Sequence, residues 1–304
     1  MLLGSSSARP RAWPVVFILA SMLAAAASPS QALVADNNSG DWIAAPPGTT
    51  ILGAYYVHGS RTSVNIEGVG TIKDGTKLQS DIGVVKAPHF FEIGGFTAAV
   101  VPILPFGSLH DGELGGTRLG HAAGIADPRV SLPVWIVNNP EKEQYLTVVP
   151  FLFFPVGTYD KAKALNLGEN RWKGLLQIGF NQGLGNGFAI DGTLEGAFYG
   201  NNNEAGTGHA VLSQKNSYSG QTYLRYNINP ITHVSLGYSK MTGGEQRING
   251  VKTGFRTSYD QVTAEFGHFI SPSVHFLVQA GHDLSVRGGF KQDNFMLTRL
   301  LKVF

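Results

Sequence analysis

The chain contains no cysteine. That absence excludes a disulfide framework, a thiolate metal site and a cysteine nucleophile. Charge is scarce as well. Asp, Glu, Lys and Arg make up 14% of the 304 residues, against about a quarter in a soluble globular domain. The charges nearly cancel, at a net +2, which excludes nucleic acid as a partner, since that requires a concentrated basic surface. Beyond the first 27 residues no apolar run approaches the roughly 20 residues of a spanning helix. What is abundant is Gly (39), Phe (18) and Tyr (10). Little charge, much aromatic and no spanning helix together suit a sheet whose outer face meets lipid.

The N-terminus reads as an export signal. Arg9 and Arg11 precede the apolar run 13–27, and Ser30-Gln31-Ala32 is a small-x-small cleavage site. Residues 1–32 are therefore expected to be a signal peptide. Residues 33–48, polar and Pro-rich, read as a periplasmic lead-in, and residues 49–304 as one outer-membrane domain.

From Thr50 onward the chain divides into segments of about ten residues with period-two alternation, the pattern of a wall with one lipid-facing and one polar face. In 188–198, Phe188, Ile190, Leu194 and Phe198 alternate with Asp191, Thr193 and Glu195. In 223–228, Leu224, Tyr226 and Ile228 alternate with Tyr223, Arg225 and Asn227. In 274–279, Val274, Phe276 and Val278 alternate with His275, Leu277 and Gln279. Twelve strands are expected, at about 49–58, 80–93, 96–106, 122–137, 145–156, 171–182, 188–199, 217–228, 232–242, 255–269, 273–283 and 291–304. The second, third and fifth are the least regular, because Pro88, Pro102, Pro150 and Pro155 each remove a ladder donor. Ten or fourteen strands would also fit the pattern.

Short turns at 184–187, 229–232 and 271–273 alternate with long polar loops at 59–79, 108–120, 157–171, 200–216 and 243–254. That asymmetry is expected of an outer-membrane antiparallel β-barrel, with short periplasmic turns and long extracellular loops. The chain stops on Phe304. A terminal aromatic on a last strand that must close the sheet against the first reads as an assembly signal, implying the barrel assembly machinery as a biogenesis partner and outer-membrane lipid as the surroundings. Lys302 stands where a second aromatic is common in such signals.

The alternation turns Arg129, Lys173, Gln177, Asp191, Glu195, Arg225, Glu265 and Arg299 toward the lumen, as candidates for selecting solutes or bracing the wall by ion pairs. Leu175, Leu277, Leu297, Leu301 and one face of 148–154 also point inward, as an apolar path or as packing for a plug or N-terminal segment. Loop 157–171 concentrates charge in Asp160, Lys161, Lys163, Glu169 and Arg171, and is a candidate gate folding over or into the barrel. His233 and Ser235, two apart on a strand, share a face as a hydrolase pair would, but that face is the lumen rather than the lipid side. No His pairs with a carboxylate at ligand spacing on one strand, so no metal site and no cofactor is expected.

Ala126-Asp127-Pro128-Arg129 with Leu132-Pro133-Val134-Trp135, then 151–160 (Phe-Leu-Phe-Phe-Pro-Val-Gly-Thr-Tyr-Asp), then Leu167-Gly168-Glu169-Asn170-Arg171-Trp172 resemble outer-membrane proteins grouped as the MetA-pathway of phenol degradation. The resemblance covers most of the chain after the signal peptide and is sharpest in 125–172. It implies a channel or transporter for hydrophobic or aromatic compounds. It carries over no catalytic residue, since the family has none established. The expectation is a non-enzymatic barrel passing small, hydrophobic or aromatic solutes by diffusion. A structural or surface-interaction barrel is the alternative, and an outer-membrane lipid hydrolase the third reading.

Overall fold

The computed structural model describes residues 37–304. The expected signal peptide and residues 33–36 lie outside the described residues. The wall is a closed antiparallel barrel of twelve strands. They are β1 (Ile51–Arg61), β2 (Lys77–Lys86, resuming at His89–Ile93), β3 (Phe96–Leu114), β4 (Thr117–Ile125, Arg129–Ser131 and Val134–Asn139), β5 (Gln144–Phe153), β6 (Lys173–Gly185), β7 (Phe188–Tyr199), β8 (Ser217–Asn229), β9 (Thr232–Gly243), β10 (Tyr259–Ser271), β11 (Val274–Val286) and β12 (Asn294–Val303). Each pairs with the next, and β12 returns to β1 in register from Ile51↔Val303 to Ser60↔Asn294. Phe304 extends this seam: its N–H donates to Thr50 O at 2.8 Å. Closure leaves no unpaired edge in a medium that offers no hydrogen bonds.

The irregular sector is β2 to β5, where the prolines lie. β2 breaks at Ala87-Pro88, and β4 at 126–128 and 132–133. Proline removes a donor but keeps its carbonyl, and the wall uses those carbonyls. Pro102 O accepts from Ala87 N (3.1 Å), Pro105 O from Ala126 N (2.9 Å), Pro150 O from Leu132 N (3.1 Å) and Pro128 O from Phe154 N (2.9 Å). The ladder therefore crosses the breaks. Pro155 lies just past the end of β5 and takes nothing from it.

Side chains divide by parity. Leu176, Ile178, Leu194, Leu224, Leu236 and Phe266 are exposed on the outside, where lipid replaces water. The alternate positions are buried inside. The extracellular loops build two further small sheets, one from 202–205, 210–214, 246–248 and 251–252, the other from 63–66, 70–72 and 289–291.

The extracellular half of the interior is a packed apolar core. Val64, Leu78, Ile82, Leu109, Phe255 and Phe290 surround Leu165 and Leu167, both of which belong to the loop after β5. That loop folds into the barrel. The lead-in residues 37–43 are also inside the wall, where a free periplasmic linker was expected. Their polar composition suits a polar lumen as well as it suits a linker.

Candidate site in the barrel interior

Residues 37–43 are held by side chains from six strands, β8 and β9 among them through Asn37 N to Gln221 Oε1 (3.3 Å) and Ser235 Oγ to Ser39 Oγ (3.0 Å). Asn38 Nδ2 donates to Glu265 Oε1 (2.8 Å) and Ser39 N to Glu265 Oε2 (3.0 Å). Gly40 N donates to Asp191 Oδ1 at 3.1 Å. Arg299 Nη1 donates to Asp41 Oδ1 at 2.6 Å. Trp42 Nε1 donates to Thr193 Oγ1 at 3.0 Å, and Trp135 Nε1 to Trp42 O at 2.8 Å. Trp42 lies on Gly179, where any Cβ would fall well inside van der Waals contact with the indole. A small residue at 179 is what lets the ring lie against the wall.

Beneath this segment, on the periplasmic side, is a cavity of about 860 Å³. Phe90, Ile103, Trp135, Val149, Phe151 and Leu301 supply its apolar wall, and Arg129, Arg225, Arg299, His233 and His275 its polar positions.

All eight predicted lumen residues are buried in the interior, and they sort into small groups rather than one ladder. Glu265 is the most heavily used. Besides Asn38 and Ser39 it accepts from Ser235 Oγ (2.8 Å) and Gln279 Nε2 (2.7 Å). Asp191 accepts from Asn181 Nδ2 (2.6 Å) and faces Arg225 Nε at 3.6 Å. Gln177 donates to Glu195 Oε2 at 2.7 Å. The Arg129 guanidinium and Lys173 ammonium stand over the Phe153 ring, at 5.1 and 4.2 Å from its centroid. The four apolar positions also turn inward, and of these Leu301 borders the cavity.

The five loop residues part company. Asp160 and Lys163 are exposed, and Lys161 pairs with Glu204 across loops at 2.9 Å. Glu169 and Arg171 are buried. Arg171 Nε and Lys173 Nζ donate to Glu169 at 2.9 and 2.6 Å. Burial works to raise the Glu169 pKa, but the Lys173 and Arg171 charges outweigh it and hold the carboxyl at about 2. Asp127, in the break of β4, accepts from Gly157 N (2.9 Å) and Glu169 N (2.8 Å), clasping both ends of the loop.

His233 and Ser235 do share the lumen face, but the Ser235 hydroxyl is engaged by Glu265, leaving no base–nucleophile relay between them. Among the described residues no group of His and carboxylates is arranged to hold a metal ion. Sequence reasoning held an N-terminal segment packing inside the barrel as one of two alternatives and did not say which residues enter; the signal for them was Trp42, a lone indole in a polar stretch.

A closed twelve-stranded wall, apolar outside and chambered inside, defines the class: an outer-membrane β-barrel channel. The chain belongs to the MetA-pathway of phenol degradation family, whose model matches residues 55–298. Among solved structures it is similar to the COG4313 outer membrane channel from Pseudomonas putida F1, at 29% identity over 88% of this chain and 100% of that one, with a TM-score of 0.84. It also shares its fold with the transport unit of the autotransporter AIDA-I from Escherichia coli, at 9% identity over 94% and 96% of the two chains, with a TM-score of 0.52. No curated protein gives a significant sequence match.

Proposed function

We propose that the protein is a passive conduit for small apolar solutes, aromatic ones among them, across the outer membrane. The observation that carries this reading is the periplasmic chamber, about 860 Å³ and walled by Phe90, Ile103, Trp135, Phe151 and Leu301. A polar conduit has no use for such a wall, whereas an apolar solute is drawn to it by about 25 cal/mol for each Å² removed from water. Two inserted elements then act as gates. The loop carrying Leu165 and Leu167 closes the extracellular half, and residues 37–43 cover the chamber. The solute moves down its gradient, with no cofactor and no covalent step. The lumen charges hold the gates in place and set the polarity limit. Residues 1–32 act as the export signal, and Phe304 serves the assembly machinery.

The test is solute entry into liposomes carrying the refolded mature chain, with an aromatic acid, a neutral aromatic and a sugar of similar size. Faster entry of the neutral aromatic supports the reading, and equal entry of all three would replace it with a general pore. No entry above empty liposomes, with the barrel folded by its heat-dependent gel migration, would favour a surface-interaction role for the two small extracellular sheets.

A further inference from the structure

The β8–β9 pairing continues above the barrel wall. Its register at Ser217↔Gly243 is carried on by Gly244 N to Asn216 O and Lys215 N to Glu245 O, both 3.0 Å. The next pair, Gln214↔Gln246, belongs to a small extracellular sheet. One face of that sheet is turned to the interior: Leu212, Gln214 and Gln246 are buried, and Gln214 Oε1 accepts from Arg171 Nη2. Side chains alternate along a strand, so Lys215, Glu245 and Arg247 lie on the other face. Lys252 stands beside Arg247 across the ladder.

There three cations meet one carboxylate. Glu245 takes Lys252 Nζ at 2.6 Å, Arg247 Nη2 at 2.9 Å and Lys215 Nζ at 3.6 Å. Hydrogen bonds from Lys252 and Arg247 hold its carboxyl at about 2, so it carries one negative charge wherever a phosphate is ionised. The sheet's other carboxylate, Glu204, is on the far edge strand and pairs with Lys161 at 2.9 Å. The cluster therefore keeps an excess of two positive charges. Lys215 and Lys252 have side chains 67% and 63% exposed. Exposed pairs of this kind contribute little, so both ammoniums can turn to a second anion.

Height decides what that anion is. The outward positions of β8 run from Ile228 to Tyr218. At the usual rise and tilt this is about 33 Å of strand and about 25 Å of height, the whole apolar band. Tyr218 thus stands in the outer aromatic girdle. Lys215 follows three residues on, about 8 Å higher by the same rise and tilt. The headgroup layer adds about 5–7 Å to each side of the hydrocarbon, and a flexible lysine stem spans the remainder. Lys240, outward on β9, reaches the same layer from below. It pairs at 3.2 Å with Asp260, whose oxygens already accept from Tyr238 and Ser285 at 2.7 Å each. Two other sectors of the rim differ. β1–β3 present Asp81 between His58 and His110, at 2.8 and 2.7 Å, and β6–β7 present Trp172 and Phe198.

We propose that Lys215, Arg247 and Lys252, with Lys240 beneath them, form a docking site for the phosphate-bearing headgroup of an outer-leaflet lipid. Arg247 offers a planar fork to the phosphate oxygens, and the lysines supply mobile point charges. Glu245 keeps the three cations converged when no lipid is bound. The acyl chains lie down the wall over Tyr218 and the Leu224↔Leu236 pair.

The experiment measures binding of a fluorescent acylated glucosamine disaccharide with two phosphates to the refolded mature protein in a neutral detergent. The same glycolipid without phosphates and inorganic phosphate are the comparisons. Each cation at an anionic membrane surface is a factor of about five in affinity. Lys215→Gln with Arg247→Gln and Lys252→Gln should therefore weaken the phosphorylated lipid about a hundredfold and leave the dephosphorylated one unchanged. Heat-dependent gel migration checks that each variant is folded. Lys215→Arg with Lys252→Arg keeps the charge and should keep the affinity. Lys73→Gln with Arg118→Gln removes exposed cations elsewhere on the extracellular side and should leave binding intact. Native affinity in the triple variant would overturn the proposal, as would an equal loss in the Lys73 and Arg118 variant. Displacement of the lipid by an equal concentration of inorganic phosphate would also overturn it, making the cluster a site for free anions.

Discussion

Asp41 Oδ1 lies 2.6 Å from Arg299 Nη1, tying residues that precede the first strand to the middle of the last. Arg299 is buried, so its partner cannot be replaced by water without rearrangement. Asp41→Ala leaves that charge unpaired, a change that costs about 3–5 kcal/mol in buried pairs. The expected outcome is a lower thermal unfolding midpoint and stronger quenching of tryptophan emission by a soluble quencher, as residues 37–43 leave their seat. Unaltered quenching would mean that Glu265, Asp191 and Thr193 hold the segment unaided.

Gly179→Val places a branched side chain where the Trp42 indole lies. Overpacking of this kind costs about 1–3 kcal/mol, and here the ring can leave. Trp42 should lose its Thr193 bond and become wetter. A red shift and stronger quenching of tryptophan emission by a soluble quencher would show it. Emission identical to that of the native protein would place the indole elsewhere.

Deleting residues 161–168 removes Leu165 and Leu167 from the extracellular core. Faster entry of a neutral aromatic into liposomes is expected if this loop is the outer gate, and unchanged entry would take it off the path. The milder Leu165→Ala should lower stability by about 2–5 kcal/mol through the cavity it leaves, read as the shift in denaturant midpoint.

The Glu169 carboxyl, held at about 2 by Lys173 and Arg171 against its burial, gives the loop a defined acid response. Its folded pKa is below its ordinary value near 4.5. The stabilisation is therefore complete above about pH 4.5 and is lost as pH falls from there toward 2. A fluorophore on a cysteine placed at Ala164, in a protein with no cysteine of its own, should report steady docking from pH 8 to about 4.5 and release below. Release already complete at pH 6 would contradict the assignment.

Phe304 seals the seam between β12 and Thr50. Removing it should reduce the barrel recovered from outer membranes several-fold, while protein refolded in detergent keeps its heat-dependent migration. Equal recovery in cells would dismiss Phe304 as an assembly signal.

The wall was legible because each strand's two faces differ in chemistry. Asp191, Thr193 and Glu195 could be separated from Leu194 and Phe198 by parity alone, and burial follows that division. Loop 157–171 was legible only in part. Its charges drew attention, yet the residues that enter the core are Leu165 and Leu167, and no periodicity marks a loop that turns inward. The partners of the inserted segment and the approach of His233 to His275 were hidden for another reason. Both depend on which strands become neighbours. His233 and His275 are far apart in sequence and meet only because β10 contributes a glycine, Gly267, between them.

The placement of residues 37–43 carries a consequence for the order of events in biogenesis. Their partners Asp191, Glu265 and Arg299 belong to β7, β10 and β12, at separations of 151, 227 and 258 residues along the chain. Contacts of such long sequence separation form late, because the intervening chain must first be closed into a loop. A barrel whose strands have just paired therefore holds Asp191 and Glu265 on their wall donors alone, without the bonds from residues 38–40. The seating of this short stretch is then a finishing step, separable from the pairing of strands. It would appear as a slow phase in refolding that changes Trp42 emission without changing sheet content.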